Sequence, residues 1–211
     1  MIKIISFDMD GTLVTSNYVE KVWLEGLPAL YAERHEIGTE EAKKLVYDEI
    51  MSVGTRDLRW YDLSHWIEFF DLDFERIDLL ERYRDEVEFY PETEEVLALL
   101  SKKFDLVVAS NGATEFVEFE LGSLKHHFRE ILSVTSKFKK VKDFPETFFD
   151  LCRYFDAKPE EVMHIGDHRY FDYEVPKEAG LSALYLDRDR MESGPDVVHD
   201  LLEAAERVMG M

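Results

Sequence analysis

The sequence has few of the residues that form disulfides or bind polyanions. Its 211 residues include a single cysteine, Cys152, which cannot form a disulfide within the chain. Lysine and arginine number 25 against 46 aspartate and glutamate residues, so the formal net charge is -21. Nucleic acids and anionic membranes bind basic surfaces, so this acidity argues against both kinds of ligand. We therefore expect no nucleic-acid partner and no membrane partner.

Long apolar segments and amide side chains are also scarce. No apolar run approaches the roughly 20 residues that span a bilayer, and the start of the sequence does not have the pattern of a signal peptide. Together with the lone cysteine, these absences predict a cytoplasmic protein. The sequence has no glutamine and only two asparagines, while charged residues reach 34%. That bias is typical of thermostable proteins.

Short apolar segments alternate with helical patterns over most of the chain. Hydrophobic residues make up 45% of the sequence, enough for a sizeable core. Helix-start signals occur at Pro91 and Pro145, and a last helix is predicted from about Asp196. The predicted strands cover residues 2–7, 106–109, 131–134, 162–165 and 183–186. This alternation predicts an α/β protein with a Rossmann-like parallel sheet that helices cover on both faces.

One segment interrupts the alternation of strands and helices. Residues 14–88 contain no convincing strand, and amphipathic helical spacing recurs at 40–51, 60–70 and 76–87. We therefore expect an α/β core formed by residues 1–13 and 89–211, with residues 14–88 inserted as an all-helical subdomain.

Two aspartates stand where the first predicted strand ends. Asp8 and Asp10 point to the same side of an extended chain, and Gly11 allows the backbone to turn directly after them. Taken alone, an Asp-x-Asp-Gly sequence is most often a turn without further function. Two carboxylates this close nevertheless repel each other unless a cation or a proton lies between them.

A second pair of carboxylates follows a later strand. Gly166 and Asp167 come directly after the apolar segment 162–165, and Asp172 lies five residues beyond Asp167. In open α/β sheets, ligands bind outside the carboxyl ends of the strands. Asp8, Asp10, Asp167 and Asp172 would gather there into an oxygen-rich site suited to Mg²⁺.

Two further segments contain groups that bind anions. Ser110 follows the strand at 106–109, and the amides of Asn111 and Gly112 are placed to form an anion-binding nest at the next helix start. A plain helix cap is an equally good interpretation of the same residues. The densest basic cluster in this acidic chain is formed by Lys137, Lys139, Lys140 and Lys142.

These segments, in this order, resemble the four motifs of the haloacid dehalogenase superfamily. Asp8-Met9-Asp10-Gly11-Thr12 is similar to the first motif and Ser110 to the second. A lysine from the basic cluster matches the third motif. We choose Lys142, which a proline and a phenylalanine follow, with Lys139 and Lys140 as alternatives. Gly166-Asp167 with Asp172 resembles the fourth motif, although Phe171 stands where many relatives have asparagine. The helical insertion is similar to the C1-type cap of that superfamily.

The resemblance implies a phosphatase that releases phosphate from a small phosphorylated metabolite. It implies Asp8 as the nucleophile that forms an aspartyl-phosphate, and Asp10 as the general acid and base. Mg²⁺ would bind Asp8, the backbone carbonyl of Asp10, and Asp167 with or without Asp172. Ser110, Asn111 and Lys142 would bind the phosphate.

Other activities within the superfamily stay open. A phosphomutase shares the whole apparatus. A 2-haloacid dehalogenase or a phosphonoacetaldehyde hydrolase resembles the phosphatases but lacks the second aspartate, which here is Asp10. A non-catalytic sensor of a phosphorylated ligand would not need both aspartates.

Substrate selectivity is expected in the helical insertion. Its most site-like segment is 54–60, in which Arg56 or Arg59 would bind a substrate carboxylate such as that of phosphoglycolate. A connecting loop with solvated arginines is the more ordinary interpretation. No pattern in the sequence predicts the oligomeric state.

Overall fold

The computed structural model describes residues 1–210, and the chain divides into two compact units. Unit 1 consists of Met1–Val14 and the chain from Phe89 onward, and unit 2 is Thr15–Glu88. Unit 1 contains every strand among the described residues, whereas unit 2 is built from helices and turns. Among the described residues, no helix is both long and apolar enough to cross a membrane.

Unit 1 is built around a six-stranded sheet in which every pair of neighbouring strands is parallel. The strands are β1 (Ile4–Phe7), β2 (Asp105–Ser110), β3 (Glu130–Ser133), β4 (Val162–Gly166), β5 (Ser182–Leu186) and β6 (Val197–Val198). Their order across the sheet is β3-β2-β1-β4-β5-β6. The predicted α/β, Rossmann-like class is therefore confirmed.

Both faces of the sheet are buried, as a parallel sheet requires. Alternate residues of one strand enter different hydrophobic clusters: Ile5 and Phe7 pack on one face, whereas Ile4 packs on the other. Cys152 is buried in the second cluster beside Phe148, as expected of a small apolar side chain. The helices of unit 1 are α6 (Thr93–Leu100), α7 (Thr114–Leu121), α8 (Val134–Phe138), α9 (Pro145–Tyr154), α10 (Val175–Glu178) and α11 (Leu201–Met209).

The last predicted helix begins later than expected. The prediction from about Asp196 is wrong, because Val197–Val198 pairs with Tyr185–Leu186 as the sixth strand. Helix α11 starts only at Leu201, where the Asp200 side chain accepts a hydrogen bond of 2.8 Å from the Glu203 amide and caps the first turn. The apolar spacing of these two valines continues that of the helix, so the local sequence fits either structure. Only the neighbouring strand decides that they are extended.

Unit 2 contains five α-helices in the described chain, and a π-helical segment, Val22–Gly26, joins the first two. The α-helices are α1 (Asn17–Lys21), α2 (Leu27–His35), α3 (Thr39–Val53), α4 (Leu63–Phe69) and α5 (Arg76–Arg82). Helix α4 starts three residues later than predicted because the Asp62 side chain accepts a hydrogen bond from the His65 amide and caps it there. Helix α5 ends five residues early, and residues 84–86 form a 3₁₀ turn. Tyr18 is fully buried in this unit and donates to the carbonyl of Leu80.

The position of β1 explains where a site can form. Phe7 is in register with Val108 of β2 on one side and with Ile165 of β4 on the other. Because the strands are parallel, the residues that follow all three strands emerge at the same edge of the sheet. Asp8, Ser110 and Asp167 therefore come from three adjacent strand ends.

Candidate active site

The turn after β1 places Asp8 and Asp10 at the sheet edge. The Asp8 amide donates to the Ile165 carbonyl at 2.9 Å, which continues the β1–β4 pairing by one residue. Gly11 then adopts φ +73°, a conformation that side chains rarely permit. A Cβ at this position would lie 2.2 Å from Asp167 Oδ2, so only glycine allows the two motifs to approach this closely.

Lys142 joins the two carboxylate motifs. Its side chain is almost fully buried, and Nζ lies 2.7 Å from Asp8 Oδ1 and 2.7 Å from Asp172 Oδ1. Burial alone opposes the charged ammonium, but Asp172 and Asp8 outweigh it and raise the Lys142 pKa. Of the two alternative lysines, Lys140 pairs with Asp150 and Lys139 is exposed. Lys142 is therefore the lysine that the structure brings to the carboxylates.

Asp172 is held by protein donors on both of its oxygens. Oδ1 accepts from Lys142 and lies 3.0 Å from His164 Nε2, while Oδ2 accepts from the His168 amide at 2.9 Å. Burial would raise the pKa of this carboxyl, but Lys142 and His164 outweigh it and hold the pKa well below its usual range. Asp172 is thus a fully buried, ionised counter-charge for Lys142.

Asp167 lies in a different electrostatic environment. Its Oδ1 accepts a hydrogen bond of 3.2 Å from the Thr12 hydroxyl. Burial and the neighbouring charges of Asp8 and Asp172 raise the pKa of Asp167 to about 8. For Asp8, its own burial and the charge of Asp172 raise the pKa, although Lys142 opposes this shift.

The donor set at this edge fits a hard divalent cation. Asp8, Asp167 and Asp172 each offer a carboxylate oxygen, and these atoms all lie within 4.8 Å of one another. A single ammonium group contacts Asp8 and Asp172, so the cluster carries excess negative charge. Burial first, and neighbouring carboxylates second, raise the pKa of Asp8 and that of Asp167, and a bound cation would favour the ionised form of both. Oxygen ligands of this kind are those that Mg²⁺ prefers.

Asp10 faces a second buried carboxyl that the sequence analysis missed. Burial and the charge of Asp8 raise the Asp10 pKa to about 7, and the neighbouring Glu120 carboxyl works against this shift. Glu120 lies on α7 and is 1% exposed; burial and the neighbouring Asp10 raise its pKa well above the usual value. Among the described residues, neither Oδ1 of Asp10 nor either oxygen of Glu120 has a hydrogen-bond partner, so these two neighbouring carboxyls favour a state in which one of them keeps its proton. The spacing of Val117, Glu120, Leu121 and Leu124 along one helical face was the available signal, because it places a glutamate on the apolar side.

The segment after β2 contains the predicted phosphate-binding residues, and it also fixes the backbone of Lys142. The Asn111 side-chain oxygen accepts a hydrogen bond of 2.9 Å from the Lys142 amide, which anchors the backbone that carries the lysine. Ser110 is buried, and its Oγ accepts from the Gly112 amide at 3.0 Å. The Gly112 amide, which the sequence places in a predicted anion-binding nest with that of Asn111, thus donates within its own turn.

Arg188 is a second residue that the sequence analysis did not single out. It follows β5 and donates from Nε to the Gly11 carbonyl at 3.0 Å and from Nη2 to the Thr12 carbonyl at 2.7 Å. The same guanidinium binds Glu92 at 2.9 Å and lies 3.3 Å from the centre of the Tyr90 ring. Arg188 therefore holds the turn that directly follows Asp10.

The two arginines that were predicted as substrate ligands lie in unit 2. Arg59 forms a bidentate pair with Asp57, with Nη2 to Oδ2 at 2.6 Å and Nε to Oδ1 at 3.0 Å. Its hydrogen bonds and charge lower the Asp57 pKa to about 2. Arg56 lies in the segment between α3 and the 3₁₀ turn at Leu58–Tyr61. Arg59 is thus already engaged by a carboxylate of its own unit.

Comparison with known proteins identifies the family. The family model described as a haloacid dehalogenase-like hydrolase matches residues 2–180. The chain belongs to the haloacid dehalogenase-like hydrolase family. The resemblance drawn from the four motifs is therefore confirmed, and the protein is a hydrolase of this family.

Relatives support the same assignment. A haloacid dehalogenase-like hydrolase domain-containing protein of Arabidopsis thaliana is 25% identical over 198 residues, which cover 90% of this chain and 72% of that protein. A phosphoserine phosphatase of Thermus thermophilus is 30% identical over 124 residues, covering 57% of this chain and 49% of that enzyme. The crystal structure of a HAD phosphatase from Thermococcus onnurineus superimposes with a TM-score of 0.85 at 23% identity, covering 99% of this chain and 98% of that one. This last likeness shows the shared fold.

Proposed function

We propose that this protein is a Mg²⁺-dependent phosphatase that hydrolyses small phosphomonoesters through an aspartyl-phosphate on Asp8. The proposal depends on one observation: two carboxyls at the same strand end lie in different electrostatic surroundings. Asp8 contacts Lys142 at 2.7 Å, whereas Asp10 has a pKa raised to about 7. The first therefore suits a nucleophile beside a positive charge, and the second suits a group that donates and accepts a proton near neutral pH.

The chemical steps follow from these two side chains. A carboxylate oxygen of Asp8 attacks phosphorus, forming an oxygen–phosphorus bond as the bond to the leaving alcohol breaks. Asp10 gives its proton to the leaving oxygen, and Lys142 balances charge on the phosphoryl oxygens. Asp10 then takes a proton from water as that water attacks phosphorus. This second attack releases inorganic phosphate and restores Asp8.

The metal ligands in this proposal are Asp8, the backbone carbonyl of Asp10, and Asp167. When bound there, Mg²⁺ would neutralise charge on the phosphoryl oxygens and on the carboxylates. Asp172 ranks behind Asp167 as a ligand because Lys142, His164 and the His168 amide already bind its two oxygens.

The proton donor separates this proposal from dehalogenation. A halide leaves without a proton, so a dehalogenase has no use for an acid with a raised pKa at the Asp10 position. The carboxylates around Asp8 likewise favour the binding of a cation and disfavour the binding of an anionic haloacid. Phosphoryl transfer uses both features.

We propose small phosphorylated metabolites as the substrate class, in line with the phosphoserine phosphatase among the relatives. We further propose that unit 2 acts as the cap predicted from the sequence. Within it, Arg56 or Arg59 is the proposed ligand for a substrate carboxylate, and Arg59 would have to exchange its pairing with Asp57 for the substrate.

The test is a phosphate-release assay over a panel of small phosphate esters with an aryl phosphate as reference, with Mg²⁺ and with EDTA. We expect Mg²⁺-dependent release, loss of turnover in Asp8→Asn, and unchanged turnover in the exposed control Asp156→Asn. Phosphoryl exchange between isomers without free phosphate would instead indicate a phosphomutase, and halide release from 2-haloacids a dehalogenase. If Asp8→Asn matches the wild type throughout, the proposal is wrong.

A further inference from the structure

Two polar side chains lie inside the central strands of the sheet. Ser6 in β1 and His164 in β4 are both 0% exposed, and the parallel register places them side by side. Their neighbours along the two strands are apolar, so neither residue is there to contact solvent. A buried hydroxyl and a buried imidazole are costly unless both are hydrogen-bonded.

Both groups are hydrogen-bonded in a chain that ends at the site. Ser6 Oγ lies 2.9 Å from His164 Nδ1, and His164 Nε2 lies 3.0 Å from Asp172 Oδ1. The same Asp172 oxygen accepts from Lys142 Nζ, which also binds Asp8. Three buried contacts and one partly buried contact therefore connect the interior of the sheet to the side chain that we assign as nucleophile.

The direction of each hydrogen bond follows from the acceptor at the end. A carboxylate only accepts, so His164 donates its Nε2–H to Asp172. Nδ1 of a neutral imidazole is then an acceptor, and the Ser6 hydroxyl donates to it. The Phe148 ring packs edge-on against the imidazole with the ring centres 5.2 Å apart, which holds the ring plane. One tautomer and one ring orientation satisfy every group.

We propose that His164, oriented by Ser6, is a positioning residue for the reaction, because it fixes the Asp172 carboxylate that holds Lys142 Nζ against Asp8. The expected effect on kcat rests on the proposed function, whereas the hydrogen-bonded chain and the tautomer of His164 do not. Lys142 has a long flexible side chain, and Asp8 alone does not determine where its ammonium group lies. Asp172, which is itself hydrogen-bonded to His164 and to the His168 amide, determines that position. For comparison, mutation of the residues that orient metal ligands through hydrogen bonds typically changes activity by about 10- to 100-fold.

The kinetic test compares three substitutions in the full-length protein. His164→Leu removes the donor to Asp172, and we expect kcat to fall about 10- to 100-fold. His164→Gln keeps an N–H group and is expected to restore most of that loss. Met163→Leu changes a buried neighbour on the same strand that packs on the other face of the sheet, and serves as the control with unchanged kcat. Equal kcat in His164→Leu and wild type would overturn the proposal.

A spectroscopic test is independent of turnover and of bound metal. In ¹⁵N-histidine-labelled protein, the signal assigned through His164→Gln should show the Nε2–H tautomer with a hydrogen-bonded Nδ1. Ser6→Ala should shift the Nδ1 resonance towards that of an unbonded acceptor. Ser6→Ala also tests the proposal if His164→Leu fails to fold. The Nδ1–H tautomer, a mixture of tautomers, or no change in Ser6→Ala would overturn the inference. Inactivity of the wild-type protein on every ester would count against the proposed function alone.

Discussion

Mg²⁺ should stabilise this protein far more at pH 8.5 than at pH 6.0. The perturbation is the addition of metal at each pH, and the group that makes the difference is Asp167. Its pKa in the folded protein without metal is raised from 3.8 to about 8. Metal binds the ionised carboxylate, so below pH 8 each binding event must first displace a proton.

The magnitude follows from the ionised fraction. With a pKa of about 8, roughly three quarters of Asp167 is ionised at pH 8.5 and about 1% at pH 6.0, so the apparent affinity falls roughly 80-fold. If Mg²⁺ is set at about 100 times its dissociation constant at pH 8.5, it stabilises the fold by about 2.7 kcal/mol there and about 0.5 kcal/mol at pH 6.0. For a chain of this length, those values correspond to shifts in Tm of roughly 5–11 °C and 1–2 °C.

The protein without metal should show the opposite trend with pH. The unfolded chain releases the Asp167 proton near pH 4, whereas the folded protein keeps it until about pH 8. Between these values the folded state binds more protons than the unfolded state, so this group lowers stability as the pH rises. Each metal shift is therefore measured against the metal-free protein at the same pH.

The assay is thermal unfolding by circular dichroism or calorimetry at both pH values, with Mg²⁺ or with EDTA. Asp167→Asn should lose the metal shift at pH 8.5. The matched control is Asp156→Asn, an exposed position with a positive φ that asparagine also tolerates. An equal Mg²⁺ shift at pH 6.0 and 8.5 in the wild type, or a full shift in Asp167→Asn, would refute the reasoning.

Three side chains and the whole fold give further predictions. Lys142→Met leaves the buried Asp172 and the partly buried Asp8 without their cation. We expect about 3–5 kcal/mol less unfolding free energy in urea together with loss of activity, and unchanged stability would contradict this. Glu120→Leu removes the neighbouring carboxyl that lowers the Asp10 pKa, so the basic limb of the pH–rate profile should move to higher pH, and an unchanged limb would show that Glu120 does not act on Asp10. Arg188→Lys loses the paired hydrogen bonds to the Gly11 and Thr12 carbonyls, with an expected loss of about 1.5–3 kcal/mol in the same urea titration, whereas a loss near zero would mean that the turn holds itself. From the composition we expect a Tm above roughly 65 °C, the upper end of the mesophile range, and a lower value would contradict the prediction of thermostability.

The general architecture was readable from local patterns. Apolar strands that end in aspartate or serine predicted both the parallel sheet and the edge at which its polar residues gather. Parallel strands make this inference possible, because their carboxyl ends share one edge whatever the order of the strands. The order itself, with β1 between β2 and β4, is not a local property and came only from the structure.

The partners of the site residues were largely beyond prediction from sequence. Lys142 was preferred over its neighbours by its resemblance to a motif, and its contacts with Asp8 and Asp172 depend on packing across 134 and 30 residues. Arg188 binds Gly11 across a sequence separation of 177 residues, and no short motif in the sequence predicts this contact. Glu120 carried a helical-spacing signal, but its neighbour Asp10 did not follow from that signal.

The sequence by itself determined which side chains stand at strand ends, and thus the family and the kind of chemistry available. Strand and turn propensities act over a few residues, so a single chain displays them in order. Tertiary structure alone decided the electrostatics. Asp167 and Asp172 are five residues apart, yet Asp167 has its pKa raised to about 8, whereas the pKa of Asp172 is held below its usual range. The physical reason is that burial and the position of Lys142 set those values, and both arise only when distant segments pack together.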